Sequence, residues 1–237
     1  MATITTEADR IRNPAGDQRV VLRGVDWETY QELAKTRDEE SQHVLMAYNR
    51  GVLEIMSPGP LHEIYKTRLG MIVRAVTLAL KVPRLSLAST TWDRPEAERG
   101  LEADECYILT DAKLQAINRA AITNNARDLP APDLAIEIDM NTSEVDRPEI
   151  YATLGVREVW RFDGESLRIN RLRDDGRYET VFESLFLPIA PDEIAAWLSH
   201  EDFMNENVWE ERLHDWARGV VAPRRRPTGH GPEEVRE

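Results

Sequence analysis

Glu137 and Asp139 stand two positions apart in an otherwise apolar run, Leu134 to Met140. Alternate residues of a β-strand point to the same face, so the two carboxylates share one face, opposite Ile136 and Ile138. Ionised carboxylates on a covered face are costly unless a cation meets them; a divalent ion or a basic side chain would do so. A third acid, Asp104, opens a second strand-like run and is flanked by Glu102 and Glu105. If the two strands are neighbours, Asp104 lies beside Glu137. Two or three carboxylates with the Ile138 backbone carbonyl form an oxygen-rich set suited to Mg2+ or Mn2+. Such an ion polarises a phosphodiester and activates a water. Taken singly, an acid at a strand end more often faces solvent or pairs with arginine, and Asp133, in Pro-Ala-Pro-Asp, reads as such a loop residue.

The elements that must position these acids follow from periodicity. Residues 25–41 read as an amphipathic helix with Trp27, Tyr30 and Leu33 at helical spacing. Residues 42–58 read as a hairpin turning at Asn49-Arg50-Gly51. Residues 59–80 repeat Leu61, Ile64, Leu69, Ile72, Val73 and Val76 at helical spacing, with Pro60 at the start. Strands are expected at 84–90, 105–110, 133–140 and 156–163, with a polar, turn-like stretch at 94–105. Residues 111–128 read either as a connecting loop or as an irregular helix. A helix over 143–155 has a serine cap and a closing glycine, but Pro148 fits best in a first turn, which moves the start to Asp146 or Arg147. Residues 166–184 form a hairpin turning at Asp174-Asp175-Gly176, and 192–221 is helical. This order, αβββαβ between Pro60 and Asp163, implies an α/β fold (an α+β mixed sheet) with a helix on each side.

Composition sets the outer bounds. An apolar fraction of 41% with 31% charged residues is that of a globular protein able to build one sizeable core, and no apolar run reaches the length of a membrane span. A flexible segment is expected over 1–20, a single domain over 21–221 and a disordered tail over 222–237. A single cysteine, Cys106, excludes an internal disulfide and a cysteine-based zinc site. With no secretory pattern at the start, the expected location is cytoplasmic. The net charge of −13 argues against non-specific nucleic-acid binding but leaves room for a local basic cleft.

Three stretches, Gly51–Glu63, Glu98–Ile108 and Pro130–Gly164, resemble the Uma2 family, a group classed with restriction endonucleases in the PD-(D/E)XK nuclease superfamily. The resemblance covers roughly 45–185. It implies a restriction-endonuclease-like αβββαβ core with N-terminal hairpin additions and C-terminal helices, and metal-dependent hydrolysis of nucleic-acid phosphodiesters. By position, Asp104 matches the first motif acid, although Ala103 replaces the usual proline. Glu137 matches the acid of the ExK motif, and Asp139 stands where its lysine would be. Many relatives bring the lysine from the following helix, where this chain has Arg147. Glu54 and His62 match recurrent positions on the flanking strand and helix. An arginine stays protonated, so Arg147 can clamp phosphate or stabilise charge but not act as a base.

Three readings follow. The first is an Mg2+-dependent endonuclease acting on DNA, with Asp104, Glu137, Asp139, Arg147, Glu54 and His62 at its site. A homodimer would let it cut both strands of a duplex, with the C-terminal helices either as interface or as a cap on the sheet. The second is an inactive module of the same fold in which Arg147 neutralises Glu137 or Asp139. The third is a hydrolase of another phosphate ester.

Overall fold

A computed structural model of the chain describes residues 3–5, 16–40, 43–117 and 129–224. Two six-stranded sheets lie on either side of a short helix. The first sheet has the order β1 (Thr3–Thr5), β2 (Gln18–Arg23), β4 (Val52–Ser57), β3 (Leu45–Asn49), β7 (Arg99–Glu102), β6 (Thr91–Arg94). The second runs β12 (Tyr178–Val181), β11 (Leu167–Leu172), β10 (Glu158–Phe162), β9 (Leu134–Ile138), β8 (Glu105–Ile108), β5 (Leu85–Ser86). The helices are α1 (Trp27–Glu39), α2 (Pro60–Leu80), α3 (Asp111–Ala116), α4 (Arg147–Leu154), α5 (Pro191–Leu198) and α6 (Glu206–Trp216).

Alternation along the strands sorts side chains into three cores. Odd positions of β9 and β10, Ala135 and Val159, join Ala47, Leu101 and Trp92 of the first sheet around Ile150, Tyr151 and Leu154 of α4. Even positions, Leu134, Ile136 and Ile138, pack on α2, and Trp209 and Leu213 of α6 belong to the same cluster. The outer face of the first sheet, Met46, Tyr48 and Leu53, packs on Tyr30 of α1. Burying each such aliphatic side chain contributes about 1.5–3 kcal/mol. The C-terminal helices therefore cap the α2 layer, and none of the described helices is long and apolar enough to cross a membrane.

The β3–β4 hairpin turns at Arg50 and Gly51, both at positive φ (43° and 91°), the combination a two-residue turn needs to follow strand twist. The N-cap of α4 is Asp146, whose carboxylate accepts from Glu149 N at 2.9 Å, with Pro148 in the first turn and Gly155 at φ 77° closing the helix. Ser143 is not its cap. β9, α4 and β10 form a parallel crossover, while β8 pairs antiparallel with β9.

Four expectations are corrected. Gln18–Arg23 is a strand rather than flexible chain, so the boundary at residue 20 falls inside β2. The stretch 94–105, expected to be turn-like, contains β7, all four of whose residues are buried. The strand expected over 84–90 shrinks to Leu85–Ser86. Asp133 is fully buried: it accepts from Leu109 N at 2.8 Å and Thr110 N at 3.0 Å and pairs with Lys113 at 2.7 Å, locking the start of α3. The readings for 118–128 and for the tail from 225 lie outside the described residues.

Candidate active site

Glu105 pairs with Ile136 across β8 and β9, which sets Asp104 opposite Glu137 at the next step. Asp104 is 0% exposed and Glu137 is 3% exposed, so neither relies on bulk water for solvation. Each is met by protein donors. Asp104 Oδ2 accepts from Ile138 N at 2.6 Å, and Oδ1 lies 2.9 Å from His62 Nε2. Glu137 receives Arg147 Nη2 on both oxygens, at 2.8 and 2.7 Å, and the Tyr151 hydroxyl on Oε1. Arg147 and Tyr151 are four residues apart on α4 and therefore share a helix face. Arg147 Nη2 also donates to the Glu102 carbonyl at 3.0 Å.

Behind these acids lies a second tier in which His62 and Glu54, both expected at the site, meet partners that were not expected there: Asp17, Arg19 and Ser143. His62 Nδ1 is 3.0 Å from Asp17, whose other oxygen accepts from Gly59 N at 2.9 Å and so closes the N-terminus of α2. Arg19 donates to Glu54 at 2.7 Å, and Glu54 also accepts from Ser143 Oγ and, at 3.3 Å, from Glu144 N. Arg147 Nη1 is 3.9 Å from Glu54. Glu54 and His62 thus join the network with Asp104, Glu137 and Arg147. The signal for Arg19 was the short run Gln-Arg-Val-Val-Leu-Arg, whose alternation is diluted by charge. Tyr151 was signalled by its spacing from Arg147.

Asp139 is held elsewhere. It follows the end of β9, and its carboxylate accepts from Arg161 Nε at 2.6 Å. Arg161 is the register partner of Glu137 on β10.

The electrostatics follow from burial. Removal from water pushes Glu137 up, to about 7; Arg147 opposes this, while Asp104 and Asp139 reinforce it. Burial works against a charged His62, but the hydrogen bonds and charges of Asp104 and Asp17 outweigh it and push its pKa up to about 10. An imidazolium between two carboxylates donates from both ring nitrogens. Burial opposes the charge on Arg147 too, yet Glu137 holds it well above its ordinary range. Burial and the adjacent Glu137 keep the Tyr151 hydroxyl protonated, as a donor.

Among the described residues no three His, Cys, Asp or Glu side chains converge as a ready-made metal cage. The groups that adjoin and could ligate are two carboxylates, Asp104 and Glu137; the Ile138 group that meets Asp104 is its N–H, which donates to the carboxylate and is not a metal ligand. Magnesium commonly takes one or two carboxylates and fills its remaining positions with water and substrate phosphate. Four buried acids, Asp17, Glu54, Asp104 and Glu137, meet three cationic side chains, Arg19, His62 and Arg147, so the cluster is one positive charge short whenever Glu137 is ionised and balanced when it is neutral. In donor type and in charge the residues fit a divalent cation.

A mixed sheet with a β–α–β crossover, antiparallel β8 leading into it and a helix on each face is a restriction-endonuclease-like α+β fold. Residues 27–195 match the sequence model of the Uma2 family, whose description is "Putative restriction endonuclease", and the chain belongs to that family. The family assignment is that of a nuclease. No curated protein matches the chain.

Proposed function

We propose that the chain is a metal-dependent endonuclease hydrolysing DNA phosphodiesters, with Asp104 and Glu137 as the residues that would hold Mg2+ or Mn2+. The observation that carries this reading is the register that sets two buried carboxylates side by side in a cluster short of positive charge. When bound, the ion would supply charge stabilisation and an acidic water. The chain's own residues hold the geometry. His62 fixes Asp104, with Asp17 fixing His62 from behind. Arg147 and Tyr151 orient Glu137. Arg147 cannot serve as a base, because its partner and its chemistry both keep it protonated. A homodimer belongs to this reading, since duplex cleavage needs two sites.

A second reading has its own support. One Arg147 nitrogen, Nη2, meets both oxygens of Glu137, which is what an internal counter-ion in an inactive module would do. Isothermal titration of Mg2+ and Mn2+ into wild type and Glu137→Ala separates the two. Binding that is lost in the variant, with cleavage of supercoiled DNA, supports the nuclease. Absence of binding with and without added duplex supports the module.

A further inference from the structure

Beside Glu137 a small pocket of about 50 Å³ opens between α4 and the face of strands β10, β11 and β12. Glu137, Arg147 and Arg161 supply its charge, and Tyr151, Val159 and Tyr178 are among its walls. Each guanidinium group at the pocket is paired, Arg147 with Glu137 and Arg161 with Asp139.

The two arginines differ in what they have left to give. The side chain of Arg147 is 5% exposed, and its Nη2 is committed to both Glu137 oxygens and the Glu102 carbonyl. Its Nε is buried without a partner, a donor unspent in the same wall. The side chain of Arg161 is 31% exposed and is held through Nε by Asp139. Among the described residues its two η nitrogens have no protein partner. A carboxylate on Nε fixes the plane of a guanidinium and leaves its outer edge for a second anion. One water needs roughly 10–15 Å³ of such space, so the pocket has room for a few oxygen-sized positions, enough for the oxygens of a phosphate.

We infer that Arg161, braced by Asp139, is the residue that receives the substrate's phosphate, with Arg147 retained as the counter-ion of Glu137. This rests on the nuclease reading and gives Asp139 a positioning role instead of a place among metal donors. Apolar walls around a charged floor strengthen such a contact.

The test is fluorescence anisotropy of labelled duplex and single-stranded oligonucleotides in EDTA, with calorimetric titration of inorganic phosphate alongside. Arg161→Ala should weaken oligonucleotide binding about tenfold or more, the scale of one charge-assisted contact. Arg161→Lys, which keeps a partner for Asp139, should recover part of that, and Asp139→Asn should lose severalfold. Arg173→Ala, at an exposed arginine beyond β11, should change binding little, and melting temperatures should confirm that every variant is folded. Wild-type affinity in Arg161→Ala, or an equal loss in Arg173→Ala, overturns the inference while the nuclease reading stands. Phosphate binding that depends on Arg161 in a protein that binds neither oligonucleotide keeps the anion site and overturns the nuclease reading. A wild type that binds none of the probes overturns both.

Discussion

Asp17 and His62 are joined by a 3.0 Å hydrogen bond between the lead-in to β2 and the first turn of α2. Through it a residue far upstream controls how rigidly Asp104 is held. Asp17→Ala should therefore destabilise the fold by about 3–5 kcal/mol, the usual consequence of removing one partner of a buried ionic pair. Chemical denaturation gives the number, and a change below about 1 kcal/mol would refute the bracing role.

The same contact fixes a pH dependence. The pKa of His62 is about 10 in the folded chain against 6.5 ordinarily. A raised pKa means that the native state holds the proton more tightly, so the contribution is fully present below about pH 6.5 and is lost as pH climbs toward 10. Denaturation midpoints of wild type should fall between about pH 6.5 and 8.5, and those of His62→Asn should fall less. Parallel curves would show that the ring carries no extra proton.

Glu137 has the same sign, in a lower pH window. Burial raises it to about 7 from 4.5, so the native state prefers the neutral acid. Stability from this group declines as pH rises from about 4.5 to 7, and the decline should vanish in Glu137→Gln. An unchanged slope in the variant would assign the effect to other carboxylates.

Arg147→Met removes the cation that opposes the upward shift of Glu137, so the buried carboxyl must take up a proton or stay unpaired, and the change should cost about 3–5 kcal/mol at a pH where Glu137 is ionised in wild type. Adding Glu137→Gln should restore much of that loss, giving a coupling energy above about 2 kcal/mol in a double-mutant cycle. Additive effects would mean that the ion pair is incidental.

Gly100 tests the packing of the first sheet. A methyl group there would sit 2.5 Å from the Tyr30 hydroxyl and 3.2 Å from Asp93 Cβ. Gly100→Ala should lose about 1–3 kcal/mol through overpacking, read as a lowered melting temperature. Paired with Tyr30→Phe the loss should shrink, because the clashing oxygen is gone.

How far the sequence carried the argument is visible residue by residue. The Asp104–Glu137 adjacency was legible because apolar residues mark both strands and strands consecutive in sequence tend to be neighbours in a sheet. The start of α4 near Asp146 was legible because proline tolerates only a first turn. β7 was not, because Arg99 and Glu102 sit in a charged stretch and their partners, Glu149 and Arg37, are distant in sequence. Asp139 was grouped with Glu137 by strand parity, yet its fate was decided by Arg161 on the next strand, which parity cannot see. Asp17 carries no periodic signal of its own; it became a site residue only through the fold.

The reach of β2 into the site bears on how the protein can be cut. The family match begins at residue 27, after Asp17 and Arg19, and ends at 195, before α6. A fragment trimmed to those limits would leave His62 and Glu54 each short of a partner and strip Trp209 and Leu213 from the α2 layer. Such a fragment would keep every residue that the family resemblance singles out and still lack the scaffold that holds them, so inactivity in it would say nothing about the whole chain.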